Sequence, residues 1–364
     1  MEDQGCNYQR AESFPLPVIL YIVCTSIEAV VGMSLNAFIA VVNCIDGMRN
    51  GYLKSIDKIL TAFGVSKCFY MCLLVIKIFW IAFFPWILED TSLYQTYKAT
   101  TWFLNCTNLC FTACLCTFYC AKIANFQHYI FFLLKTRISR LVPWMLLASL
   151  LGSLATTSPF FKEIYIFTCQ NNSSFEILGN VTLEGFTVET NLVHLFLWCG
   201  LGFTVAFFIS TTSTFLLLFS LWRHTQQMQN SSASFSSPSM AAHSQAVKII
   251  ISLLVINVIN FVSLMVLLSN IFLDSSLASR FCAIILNACP SVQSSLLIWG
   301  NPKLKREFGR VVHYIRYMFL FGKGIMRDAF CLPSKMIGSV SCIPNTHSYS
   351  CNPEVRQVTH EERH

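Results

Sequence analysis

Apolar residues in this chain come in long unbroken runs separated by short polar segments. A helix that spans the hydrocarbon core of a bilayer needs about 20 mostly apolar residues. Seven stretches meet that length: Pro15 to Cys44, Ile56 to Phe84, Ala99 to Phe126, Leu141 to Phe160, Asn191 to Trp222, Val247 to Leu273 and Leu277 to Gly300. They are too long and too continuous for strands, and backbone groups in lipid must be satisfied within a helix or a closed barrel. The pattern predicts an all-α membrane protein built as a seven-transmembrane helix bundle. After the seventh run the spacing changes. Leu304, Phe308, Val311, Val312, Ile315 and Phe319 recur at helical intervals, interleaved with Lys305, Arg306, Arg310 and Arg316. That pattern predicts an amphipathic helix lying in the membrane interface. From about Leu332 onward Pro, Ser, Asn and charge follow no period, and a disordered tail is expected. The chain therefore divides into an extracellular N-terminus (1–14), a helix-bundle domain (15–302), an interfacial and juxtamembrane segment (303–330) and a cytoplasmic tail (331–364).

Charge orients the bundle. With the N-terminus outside, thirteen Lys and Arg fall in the inner connections and four in the outer ones, a positive-inside asymmetry. The longest outer connection, about Phe161 to Thr190, carries three N-x-S/T sequons at Asn171, Asn172 and Asn180. A glycan acceptor must face the lumen, so the sequons and the charge agree. No cleavable signal peptide is read, because residues 1–14 are acidic as well as basic and lack a basic n-region. Hydrophobic residues make up 54% of the chain and charged ones 12%, which excludes an ordinary soluble enzyme. The net charge of +7 is spread without a nucleic-acid stripe.

Ionisable side chains at bilayer depth are costly and are usually paired or functional. Glu28 lies about 19 Å from the outer start of the first run and Lys67 about 16 Å from the inner start of the second, at 1.5 Å per residue. Both depths fall near the middle of the membrane. An ion pair between them, bridged by Asn36 or Gln293, is one expectation; the alternative is that each is satisfied separately by water or backbone. Lys77 lies nearer the outer end, where its stem can snorkel. Asn36, Asn105, Asn108, Asn257, Asn260 and Asn287 are further polar positions, read as interhelical hydrogen-bond partners. Cys106, Cys110 and Cys114 repeat at four-residue intervals on one helix face, read as small-residue packing and not as a metal site. No phosphate-binding, dinucleotide, zinc-protease or serine-hydrolase motif occurs. No cofactor, no metal and no catalytic residue is expected.

Several segments together resemble one family. The first run reads Ile27-Glu28-Ala29-Val30-Val31-Gly32 and then Asn36 to Asp46. The third ends Phe118-Tyr119-Cys120-Ala121-Lys122-Ile123-Ala124-Asn125-Phe126. The fifth ends Ser220-Leu221-Trp222-Arg223-His224, followed by Met228. His243-Ser244-Gln245-Ala246-Val247-Lys248 precedes the sixth, and the seventh ends Leu297-Ile298-Trp299-Gly300-Asn301-Pro302-Lys303-Leu304-Lys305. In this order, over about residues 15–310, they resemble the type 2 (bitter) taste receptors, which are G-protein-coupled receptors. The chain departs from the family pattern at Lys67 (usually Arg), Ala206 (usually Pro), Gln293 (usually His), and Asn257 and Asn260 (commonly Tyr). Trp102 also stands three residues before Asn105 where the family has four.

The resemblance implies a chemosensory receptor in the plasma membrane, with its N-terminus outside and its C-terminus in the cytoplasm. It implies small-molecule bitter agonists and a heterotrimeric G protein of the gustducin type as partners, besides the lipid bilayer; oligomerisation is left open. A ligand pocket is expected between the outer halves of the helices. By depth and face its candidates are Phe84, Trp102, Asn105, Leu109, His194, Trp198, Phe261 and Ala283, of which Trp102, Asn105 and Ala283 fall nearest the family's contact positions. Glu28, Asn36, Lys67, Tyr119, Gln293 and Ser294 are the expected structural and activation residues. Lys122, Arg223, His224, His243, Lys248 and Lys303 form the expected G-protein face. The competing readings are a vomeronasal-type pheromone receptor, an ion channel or transporter using Glu28 and Lys67, and a non-signalling membrane scaffold.

Overall fold

A computed structural model describes residues 16–84, 91–124, 129–162, 166–169, 175–178, 181–184, 186–189, 192–231, 238–269 and 277–331. Nine helices are present among them: α1 (Leu16–Asn50), α2 (Ser55–Phe83), α3 (Thr91–Ile123), α4 (Tyr129–Thr157), the single turn α5 (Pro159–Lys162), α6 (Leu192–Ser231), α7 (Pro238–Leu268), α8 (Leu277–Gly300) and α9 (Pro302–Cys331). Seven of them are long and apolar enough to cross a membrane. Each membrane helix matches one of the seven predicted runs, and α8 has the same bounds. α2 is shifted by one residue, and the other five overrun their apolar segment at one end. α3 begins at Thr91, α4 at Tyr129 and α7 at Pro238, while α6 continues to Ser231. Hydropathy marks only the length in lipid; hydrogen bonding carries each helix on into the polar zone, where its sequence still favours a helix.

The connection between α5 and α6 adds four short strands. β1 (Ile166–Cys169) pairs antiparallel with β4 (Phe186–Glu189), and β2 (Phe175–Leu178) with β3 (Val181–Glu184). These segments are rich in β-branched and aromatic residues. The sequons Asn171, Asn172 and Asn180 lie outside the described residues, as do 1–15 and 332–364.

The helices form a closed ring. α1 packs on α2 and α8, α8 on α7, α7 on α6, and α3 runs down the middle against α2, α4, α5 and α6. The buried stripe of α1 shows how the sequence sets this up. Val18, Tyr21, Thr25, Ala29, Gly32, Asn36, Ile39 and Asn43 follow each other at three- and four-residue steps, which is one face of a helix. Large apolar side chains such as Phe69, Trp144, Leu201 and Phe208 point outward instead, as expected where the surroundings are lipid. Polar side chains such as Asn36, Lys67, Asn257, Asn287 and Ser294 point in. An inner apolar core joins Ile39, Leu60, Phe63, Phe118, Leu297 and Leu304; an outer one joins Leu109, Phe160, Cys199, Phe203 and Leu268.

Two glycines carry specific geometry. Gly51 follows α1 with φ of 72°, the left-handed conformation that favours glycine at a helix end. A Cβ on Gly64 would lie 2.9 Å from the Asn36 carbonyl oxygen, so glycine lets α2 approach α1 closely. Residues up to Gly309 form one compact unit and Arg310–His364 a second. In the latter, Val311, Val312, Tyr314, Ile315, Tyr317 and Met318 are exposed, the apolar side of the amphipathic pattern.

Candidate functional site

A polar cluster sits inside the bundle between α1, α2 and α8. Lys67 is fully buried. Its ammonium donates to the Pro290 carbonyl at 3.3 Å and to Ser294 Oγ at 3.4 Å, and lies 3.7 Å from the centre of the Phe63 ring. Ser294 Oγ lies 2.6 Å from Asn36 Oδ1 and 2.8 Å from the Pro290 carbonyl, so its one proton serves either acceptor. Asn36 Nδ2 in turn donates to the Gly32 carbonyl at 2.7 Å. The side-chain nitrogen is thus held by two oxygen dipoles and a π face, with no carboxylate among the described residues in contact with it.

The expected Glu28–Lys67 ion pair does not form. Glu28 stands on the flank of α1's buried stripe, next to Ala29, and is only partly buried. One of its carboxylate oxygens is buried without a partner, and Ser291 Oγ reaches only its backbone carbonyl, at 3.4 Å. Helix spacing had placed both residues at the right depth, but the rotation of α1 turns Glu28 aside. Asn36, offered as a bridge, does belong to the Lys67 cluster, through Ser294. Gln293 is buried on α8 beside Ser294.

Other polar contacts extend this seam outward. Tyr70 donates to Asn287 Oδ1 at 2.7 Å, joining α2 to α8. Lys77 donates to the Tyr21 hydroxyl at 3.3 Å, joining α2 to α1. Tyr70 was not singled out from sequence; a tyrosine amid apolar residues opposite an isolated Asn was the available signal.

The eight expected pocket residues divide between two walls and a groove. Trp102 is stacked between Phe160 at 5.5 Å and Phe203 at 5.9 Å. Leu109 is 1% exposed in the same outer core. Phe261 stacks on Phe207 at 4.1 Å, tying α7 to α6. Asn105 leans the other way: it lies beside the Tyr70 hydroxyl and donates to the Thr101 carbonyl at 3.0 Å. Phe84 is the C-cap of α2, with its ring 5.4 Å from Phe79. Ala283 is partly buried on α8. The side chain of His194 lies outside the described residues. Trp198 is half exposed and donates to the Ala155 carbonyl at 3.1 Å. It lines a cavity of about 580 Å³ between α3, α4 and α6, with Cys110, Cys114, Ser149, Gly202 and Ala206. None of the other seven candidates lines that cavity. The cysteine face of α3 packs on α4, with Cys114 Sγ 3.2 Å from Ser149 Oγ and Ser153 Oγ 3.8 Å from Cys110 Sγ.

At the end of the bundle where α6 finishes and α7 begins, Arg223, His224 and Lys248 are exposed. Lys122 is exposed too, donating to the Lys135 carbonyl at 3.5 Å. The side chain of His243 lies outside the described residues. Tyr119 is partly buried between two apolar clusters, one shared with α1, α2 and α8 and one with α6 and α7. Lys303, expected among the partner-facing cations, is turned inward. Its ammonium lies 2.8 Å from Asp46 Oδ2, 3.2 Å from Asp57 Oδ2 and 3.0 Å from Asn43 Oδ1.

Comparison with known proteins places this arrangement. The family model of the taste receptor proteins (TAS2R) matches residues 15–316. The chain is 35% identical to taste receptor type 2 member 40 of Gallus gallus over 289 residues, 79% of this chain and 92% of that protein. It is 32% identical to taste receptor type 2 member 39 of Homo sapiens over 307 residues, 84% and 90% of the two. It is 33% identical to taste receptor type 2 member 9 of Macaca mulatta over 301 residues, 82% and 94% of the two.

Proposed function

The chain belongs to the type 2 taste receptor family, and from that premise we propose how its bundle works as a receptor. It is a multi-pass membrane protein of the bitter taste class of G-protein-coupled receptors and not an enzyme. The observation that carries the proposal is the match of the family across all seven membrane helices.

The ligand is a small bitter compound that enters between the outer halves of the helices. There it meets the aromatic wall of Trp102 and Phe261 on one side and the amide of Asn105 on the other, with Phe84, Leu109, His194, Trp198 and Ala283 around them. Asn105 both donates and accepts hydrogen bonds, which suits a compound with one or two polar groups on an apolar frame. Trp102 and Asn105 stand on α3 and Phe261 on α7, so a compound that touches all three favours one arrangement of these helices over another. Only such a difference in affinity shifts the conformational equilibrium. The inner readout is a heterotrimeric G protein of the gustducin type, held by Lys122, Arg223, His224, His243 and Lys248. The chain works in the plasma membrane with its N-terminus outside, the orientation supported by the charge asymmetry. Asn171, Asn172 and Asn180 then face the glycosylation machinery.

The deciding experiment is expression of the full chain with a taste-type G-protein α subunit and a calcium screen against a panel of bitter compounds. A response that vanishes when the α subunit is removed supports the reading. Current that flows without any G protein supports the channel alternative instead and overturns it.

A further inference from the structure

We propose that Lys303 is a positioning residue, a clasp that fastens the first turn of α9 to the end of α1 and the start of α2 and so sets the inner surface on which coupling depends. The coupling half of this proposal rests on the signalling reading above; the clasp itself does not.

The geometry joins three helices at one ammonium. Asp46 and Asn43 come from the last turns of α1, Asp57 from the first turn of α2, and Lys303 from the first turn of α9. Asp57 is 5% exposed at its side chain, Asp46 32% and Lys303 25%. The group is half enclosed, and every hydrogen of the ammonium has an oxygen to meet.

Helix electrostatics show that this placement is not explained by α9 alone. The N-terminal end of a helix carries partial positive charge and disfavours a cation; the C-terminal end disfavours an anion. Lys303 follows Pro302 at the start of α9, and Asp46 lies near the end of α1. Each opposes its own helix dipole, and each is compensated by the other. Asp57, near the start of α2, agrees with its dipole and supplies the second negative charge.

The rest of the turn is built to hold Lys303 in place. Asn301 caps α9, its Oδ1 accepting from the backbone N–H of Lys303 at 3.0 Å and of Leu304 at 3.4 Å. Leu304 is fully buried in the inner core, and the Phe308 ring meets Phe38 edge-on at 5.4 Å. Cap, apolar plug and aromatic contact orient the turn so that residue 303 faces the two carboxylates, while Lys305 and Arg306 face outward. A partner protein would then meet Lys305 and Arg306 before Lys303.

The test uses the full chain in lipid nanodiscs, followed by hydrogen–deuterium exchange of the backbone amides of residues 304–309. Lys303→Met leaves two carboxylates facing each other and should speed that exchange about tenfold. Lys303→Arg should stay near the native rate. The exchange of Asp57→Lys with Lys303→Asp keeps the charges of the cluster and should restore most of the protection, which separates a clasp from a general loss of folding. Exchange in Lys303→Met at the native rate overturns the clasp. In cells, with surface receptor matched by antibody labelling, the maximal calcium response to the bitter panel should fall about fivefold in Lys303→Met, with half-maximal concentrations unchanged. Lost protection with a full maximal response overturns the role in coupling. A native receptor that answers no compound removes that role together with the signalling reading, while the exchange rates still decide the clasp.

Discussion

Lys67 and Lys303 are both enclosed in this bundle, and they are held in opposite ways. Lys67, inside the bundle, has a backbone carbonyl, a hydroxyl and a phenyl face around it. Lys303, at the start of α9, has two carboxylates and an amide oxygen. The difference follows from depth. Removing a charge from water costs several kcal/mol even after relaxation, and a paired carboxylate adds a second such cost. Neutral dipoles hold a deep ammonium without burying another ion. Around Lys303 water still reaches Asp46 and the lysine itself, 32% and 25% exposed at their side chains, so the attraction of the carboxylates for the cation outweighs what the group loses. Charge pairs at this bundle's edge therefore act as tethers. The deep cation acts as an organiser of dipoles, bringing Pro290, Ser294 and Asn36 of two other helices to one point.

The sharpest way to break this comparison is to reverse the deep charge. Lys67→Glu would bury an anion against the Pro290 carbonyl and the Phe63 ring, a loss of about 3–5 kcal/mol on the scale of uncompensated buried charges. Surface receptor, counted by antibody on intact cells, should fall to background; normal surface levels would show that the site is not dry. Lys67→Arg, in contrast, should keep the receptor at the surface. Asp57→Asn removes one of two anions from the inner tether and should cost less, about 1–2 kcal/mol. Apparent melting in nanodiscs would report it as a small downward shift. Asn105→Ala tests the outer wall and not the tethers: half-maximal agonist concentrations should rise about tenfold, the worth of one hydrogen bond to a ligand at about 1.4 kcal/mol, with surface levels unchanged. Unaltered dose–response curves would remove Asn105 from the pocket. The smallest effect belongs to Trp198→Phe. It loses one half-exposed hydrogen bond to Ala155 and keeps the ring, so stability should move by about 0.5 kcal/mol or less.

Much of the architecture was legible before any coordinates. Residues 277–300 became α8 with the bounds that hydropathy drew, because the run begins and ends where polar residues take over. The start of α3 eight residues before its apolar run, at Thr91, was not legible, since a helix needs no lipid to continue. Strands β1 and β4 carry a legible signal in Ile166-Phe167-Thr168 and Phe186-Thr187-Val188, whose β-branched and aromatic residues favour extended backbone. The site was less legible than the fold. Asn287 stood out as a polar position inside an apolar run and does bond between helices, but its partner Tyr70 is ordinary in sequence.

The number of apolar spans and the family are properties of segments, and the chain carries them locally: the spans depend on how many apolar residues stand in a row. Partnership between distant side chains is a property of rotation about helix axes. Glu28 and Lys67 had matching depths, yet one residue of offset on α1, about 100°, turned the carboxylate away and left the cation to Pro290 and Ser294. Only the packed ring decided that, as it decided that Lys303 faces Asp46 and Asp57. Helix rotation is set by the sum of all side-chain contacts around the bundle, and no single stretch of sequence contains that sum.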